Sequence, residues 1–148
     1  MNKTSLILFA MVTLSSFALA KSLNLKTLPA PVQKTIGETL KGGEIKNISK
    51  ETEKGVTFYE VESMLNGKHR DFNIDVKGVL IVVEQEVDLA SIPAAAKATI
   101  EKQATGGKIG MVETVTKGSV VLYEAAITNK SGKKSTILVK ADGTISKD

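Results

Sequence analysis

The chain repeats itself once, with an offset of about 64 residues. One copy opens at Leu28-Pro29 and the other at Ile92-Pro93, and each has a glycine pair after a stretch of helical length. The matched positions are Pro29 and Pro93, Ile36 and Ile100, Gly42-Gly43 and Gly106-Gly107, Tyr59-Glu60 and Tyr123-Glu124, and Gly78 and Gly143. Both copies must form the same supersecondary unit, so this repeat constrains the fold more than any single motif. We place the copies at about 28–86 and 92–148.

Each copy predicts a helix followed by antiparallel strands. Val32, Ile36 and Leu40 follow at spacing four, on one stripe of a helix that Gly42-Gly43 should end. The apolar period then changes to two. In the strand Val56 to Leu65, Tyr59 and Val61 share the face we assign to the core, so Glu60 and Glu62 share the other. Asn66-Gly67 is a strong hairpin signal, and strands joined by such short turns are antiparallel.

The fourth strands of the two copies differ. Val79 to Val83 is continuously apolar, as expected in the middle of a sheet, whereas Thr144 to Asp148 is polar and predicts an exposed edge strand. The prediction is an α+β fold of two tandem helix-plus-antiparallel-strand repeats. These form one continuous antiparallel sheet with two helices on one face.

The first twenty residues have the pattern of a signal peptide. Lys3 precedes a mostly apolar run, and Ala18-Leu19-Ala20 is a small-x-small cleavage site. We expect cleavage after Ala20, one domain over 21–148, no membrane span after removal, and a periplasmic or secreted location. A retained membrane anchor is the alternative. The chain has no cysteine, which excludes disulfides and thiolate zinc sites.

The remaining residues offer no constellation for catalysis. Removing Lys3 from 20 basic residues leaves 19 against 16 acidic ones, and the mixed signs argue against nucleic-acid binding. The one histidine, His69, lies between Lys68 and Arg70, which would repel a cation, so we expect an exposed turn histidine. The glycine pairs follow helices instead of preceding them, unlike phosphate loops. We therefore expect no enzyme activity, no cofactor and no metal site.

Glu60, Glu62 and Glu124 are the carboxylates that recur at matched positions or beside them, and Arg70 lies in a basic turn matched by the basic stretch 130–134. These four residues are the candidate binding residues, on a surface suited to a protein or peptide partner. The alternative is that they only line the solvated face of the sheet.

The Leu-Pro or Ile-Pro helix start, the glycine pair, the hairpin-linked strands and the closing Lys-Gly or Asp-Gly turn resemble a PepSY-type unit. Two such units behind a signal peptide are similar to exported PepSY-like proteins related to the beta-lactamase inhibitor protein fold. The resemblance implies a sheet with an open binding face, helices on the other side and an inhibitory role in some members. We expect a non-enzymatic binding module, with a peptidase or beta-lactamase as a possible target. A small-ligand or metal sensor of the envelope is the alternative, and an enzyme using the glutamates is a third hypothesis.

Overall fold

The computed structural model describes residues 22–147, and the predicted signal peptide lies outside this range. Within this range the two α-helices are α1 (Ala30–Leu40) and α2 (Ala94–Gln103). The seven strands are β1 (Glu44–Glu53), β2 (Val56–Leu65), β3 (Lys68–Asp75), β4 (Leu80–Glu86), β5 (Lys108–Lys117), β6 (Val120–Thr128) and β7 (Lys134–Val139). Short 3-10 turns at Leu25–Thr27 and Leu89–Ser91 precede the two helices.

The strands form one antiparallel sheet in the order β1 to β7, which confirms the predicted fold class. The apolar strand β4 is the central one, as its composition predicts. The prediction of a fourth strand in the second half is wrong, because the segment forms only a single bridge, between Val139 and Ile145. The polar segment turns back through Lys140 and Thr144 and makes one further backbone bond, from Ser146 N to Leu138 O.

Both helices cover the same face of the sheet, over two separate cores. The first core lies under α1 and contains Leu28, Val32, Ile36, Ile48, Tyr59, Val61, Phe72 and Ile74. The second lies under α2 and contains Ile92, Ala96, Ile100, Val112, Ala125 and Val139. Tyr59 is buried and Tyr123 is half-buried, and both face the helices as predicted.

The two glycines of each pair have different roles. The first, Gly42 (φ 84°) or Gly106 (φ 75°), has the positive φ that the sequence predicts after a helix, although Lys41 (φ 52°) is the first left-handed residue after α1. A Cβ on Gly43 would lie 2.6 Å from the carbonyl oxygen of Met64, and one on Gly107 would clash with Thr128 O. Glycine at these positions therefore lets the start of β1 and β5 run close to the neighbouring strand.

The same long-range hydrogen bond occurs in each half. Thr35 Oγ1 in α1 donates to Gly78 O (2.6 Å), and Thr99 Oγ1 in α2 donates to Gly143 O (2.8 Å). Irregular register also falls near the start of both β1 and β5. These contacts fix both helices to one face and leave the other face of the sheet open.

Candidate functional site

We define the open face as the side of the sheet that points away from α1 and α2. The pairing places Glu60 and Glu62 of β2 on this face, and Glu124 of β6 is on the same side. Glu62 is exposed, whereas Glu60 and Glu124 are half-buried. Three of the four predicted site residues therefore share one surface, although three strands, β3 to β5, separate Glu124 from the others.

Further carboxylates join these three across the sheet. Asp71 pairs with Glu84, and Glu113 of β5 pairs with Glu86 on one side and Glu124 on the other. The acidic strip consists of Glu60, Glu62, Asp71, Glu84, Glu86, Glu113 and Glu124. Directly opposed residues have Cβ atoms about 5 Å apart, so these like charges destabilise the folded state when ionised.

Burial and mutual repulsion raise the pKa values of the strip. Burial, followed by the charges of Glu113 and Glu124, raises the pKa of Glu84 to about 8. Burial, together with the charge and hydrogen bond of Glu51, raises the pKa of Glu60 to about 7. Burial is also the main cause of the raised pKa values of Asp71 and Glu113. At neutral pH the strip therefore holds protons that a cationic partner could displace.

The hydrogen bonds made by the strip leave most of its charge unneutralised. Glu62 accepts from Asn47 Nδ2 (3.1 Å), Asp71 from Ser63 N (2.9 Å) and Glu86 from His69 N (3.0 Å). Leaving Glu124 aside, the strip carboxylates form no ion pair with lysine or arginine within residues 22–147.

An apolar floor lies on the same face beside the strip. It consists of Val82, Val115 and Leu122, all buried, with Leu138 partly buried against them, and Phe58 is buried on the same face. No helix in the described part of the chain covers this face, so these side chains are buried by one another and by the charged side chains around them.

The structure does not bring Arg70 together with the three glutamates. Arg70 is buried on the helix-covered face, where its Nε donates to Thr39 O (3.1 Å) and its Nη1 to Gln85 Oε1 (3.0 Å). The guanidinium therefore satisfies a carbonyl near the end of α1, where a positive charge is favourable. Arg70 lies two residues before Phe72 along β3, so alternation places both side chains on the same face. This spacing could have predicted the face of Arg70 from the sequence.

His69 is on the open face and exposed, at the edge of the strip next to Glu86. No group of histidine, aspartate and glutamate side chains within residues 22–147 is arranged to hold a metal ion. The open face thus offers charge and apolar contact, and its described residues do not form a coordination site.

The sequence analysis missed Asp71, Glu84, Glu86 and Glu113. Asp71 could have been found, since it alternates with Phe72 as Glu60 alternates with Tyr59. The meeting of Glu84 and Glu86 with Glu113 depends on the pairing of β4 with β5, which neither copy contains by itself.

Solved structures similar to this chain come from Bacteroides. A protein of Bacteroides eggerthii described as periplasmic aligns with a TM-score of 0.66 and 16% identity, over 80% of this chain and 85% of its own. A DUF2874 family protein of Bacteroides ovatus aligns with a TM-score of 0.65 and 14% identity, over 82% and 86%. A BLIP-like protein of Bacteroides fragilis aligns with a TM-score of 0.61 and 14% identity, over 81% and 84%.

The chain has a BLIP-like fold. At identities of 14–16%, the similarity to these structures shows the fold alone. No protein-family model matches the chain, and no curated protein matches it. None of these neighbours indicates a catalytic family. No helix within residues 22–147 is long and apolar enough to cross a bilayer.

Proposed function

We propose that this protein is an exported, non-enzymatic binding module, and that its open face holds a cationic segment of a partner protein or peptide. The periplasm is the proposed compartment, supported by the signal-peptide pattern and by the description of a neighbouring structure as periplasmic. An inhibitory action on a peptidase or beta-lactamase is the finer form of the proposal, supported by the BLIP-like fold.

One observation carries the proposal: the acidic strip borders an apolar floor on the face that neither α1 nor α2 covers. Carboxylates that repel one another are stabilised when a cation approaches, and apolar contact adds the free energy of burial. A lysine or arginine on a partner would find both within a few ångströms. The strip therefore favours a basic partner over an acidic one, through complementarity that also speeds association.

We further propose that the two halves are PepSY-type units that arose by internal duplication. The matched hydrogen bonds from Thr35 to Gly78 and from Thr99 to Gly143 support this, together with the matched glycine pairs. In this view, the open face is one surface made from two units.

The test compares capture by two variants that replace the same number of carboxyl groups. Residues 21–148 would be immobilised and exposed to an envelope extract, with Glu84→Gln/Glu113→Gln beside Glu38→Gln/Glu101→Gln. Glu38 and Glu101 lie on the helices, each in an exposed pair with a lysine four residues earlier. Both variants replace two glutamates by glutamine, but only the first changes the open face.

A protein retained by the unmodified chain and by the helix variant, but lost from the strip variant, would support the proposal. Its affinity would then be measured by calorimetry, and a loss of about tenfold or more with the strip variant is expected for two charge contacts. Equal retention by both variants would place the binding surface elsewhere.

A further inference from the structure

The exposed hydrophobic side chains collect at one end of the sheet. Among residues 22–147, eight large hydrophobic residues are exposed, and seven of these lie at or beside the turns of that end. The seven are Val56, Val76, Val79, Leu80, Val120, Val121 and Ile145. The eighth, Met111, lies in the irregular part of β5 toward the opposite end. We call the first group of residues, with their turns, the valine end.

Every turn of the valine end combines an aliphatic side chain with a lysine. The pairs are Lys54 with Val56, Lys77 with Val79, Lys117 with Val120, and Lys140 with Ile145. Successive turns are two strand spacings apart, or about 10 Å. The same combination of a hydrocarbon and an amine thus recurs along a line that crosses the whole sheet.

Two carboxylates of this end are directed back onto their own turns. Asp75 Oδ1 accepts from the backbone nitrogens of Lys77 and Val79, both at 2.8 Å. Asp142 Oδ1 accepts from Thr144 N at 2.9 Å. Lys77 and Lys140 are exposed, so their amines can extend beyond these carboxylates toward a surface in front of the turns.

The residue types separate a lipid surface from a protein partner. Protein interfaces are enriched in aromatic residues, methionine and arginine, and depleted in lysine. The exposed large hydrophobic residues of the valine end are valine, leucine and isoleucine, with no aromatic residue, and lysines accompany them. One of these lysines, Lys54, is paired with Glu53 of its own turn (3.9 Å). Aliphatic side chains enter the interfacial layer of a bilayer, while lysines contact anionic headgroups and bury their stems beside them.

We propose that the valine end docks on the surface of a bilayer containing anionic phospholipid. Val79 and Val121 enter the interfacial layer, and Lys77 and Lys140 contact headgroup phosphates. The strands then stand upright on the membrane, which leaves the open face accessible from the side. This surface is separate from the acidic strip, so the docking goes beyond the binding function proposed above.

The test is co-sedimentation of residues 21–148 with vesicles. The first twenty residues are left out because their mostly apolar run would bind lipid by itself. Both cores lie within the remaining chain. Vesicles of phosphatidylglycerol and phosphatidylethanolamine in equal parts should retain the protein, and retention should fall as salt rises. Vesicles of phosphatidylcholine should retain much less. Lys77→Gln/Lys140→Gln should weaken binding by about fivefold for each lysine.

The apolar contribution has its own matched control. Val79→Ser/Val121→Ser should weaken vesicle binding by about fivefold or more, since both side chains leave water on docking. Met111→Ser removes an equally exposed apolar side chain at the other end and should leave binding unchanged. Circular dichroism would verify that each variant is folded.

Failure of the unmodified chain to bind the anionic vesicles would overturn the proposal, as would an equal loss with Met111→Ser. Sedimentation velocity tests whether a second copy of the chain, instead of a bilayer, occupies the valine end. A dimer that Val79→Ser/Val121→Ser dissociates, without vesicle binding by the unmodified chain, would assign the valine end to self-association instead.

Discussion

Glu84 lowers the stability of the folded protein at high pH, because its ionised carboxylate is partly buried among other carboxylates. It lies on the central strand, where burial, followed by the charges of Glu113, Glu124, Asp71 and Glu60, raises its pKa. The folded protein therefore binds a proton at Glu84 that the unfolded chain releases near pH 4.5. Stability from this residue is fully present below that pH and is lost as the pH rises to about 8. Glu60 acts in the same direction, up to about pH 7.

Glu84→Gln should therefore flatten the pH dependence of stability. We expect the variant to be more stable than the unmodified chain at pH 8.5 by about 1–2 kcal/mol, after allowance for solvent screening. Near pH 5 the two should differ little, because the carboxyl is then protonated in the folded state. Urea unfolding at both pH values measures the difference. Glu38→Gln is the control. If it raised the free energy of unfolding at pH 8.5 as much as Glu84→Gln does, burial of Glu84 would not explain the effect.

Arg70 illustrates a different residue-scale lesson. Its position beside Lys68 and His69 suggested a basic turn, but the parity of β3 directs its side chain under α1. Alternation in the sequence carried this information, and the cluster of basic residues obscured it. Replacing Arg70 would therefore test the packing of α1 and not the binding of a partner.

At the scale of elements, periodicity predicts most of the fold. The helix stripe, the hairpin at Asn66-Gly67 and the central position of β4 follow from local pattern, and the structure agrees with each. The apolar floor does not follow from it. Phe58 and Leu122 alternate with residues of the helix-covered face, and yet both are buried on the open face. Their burial depends on side chains of other strands, as in the cluster of Val82, Val115 and Leu122, and no local pattern specifies such a meeting.

The glycine pair after α1 gives an element-scale prediction. Gly43→Ala should destabilise the protein by about 1–3 kcal/mol, because the new Cβ would overlap the Met64 carbonyl, which is held in the sheet. Gly37→Ala is the matched control, since a Cβ there meets nothing within 4 Å. It lies inside α1, so we expect it to stabilise by about 0.5–1 kcal/mol. Thermal unfolding of both variants would measure these changes, and equal effects at the two positions would contradict the close approach of β1 and β2.

At the scale of the whole molecule, the two cores are unequal. The first contains Phe72, Tyr59 and three isoleucines, whereas the second consists of two alanines, two valines and two isoleucines. Less apolar area is buried under α2, so the second half should open at a lower free energy. Hydrogen exchange followed by mass spectrometry should show β6 and β7 losing protection at lower denaturant than β2 and β3. Simultaneous loss across all seven strands would mean that the sheet opens as one cooperative unit.

The join between the halves is narrow. β4 and β5 are paired at four positions, from Val83 with Thr116 to Glu86 with Glu113, whereas β1 and β2 are paired at nine. Two of those four positions bring open-face residues together, and one of them sets a glutamate against a glutamate. A ligand that neutralised the carboxylates at the β4–β5 pairing would hold the two halves together. Occupancy of the open face would then reduce the motion of the whole sheet, including strands that the ligand does not contact.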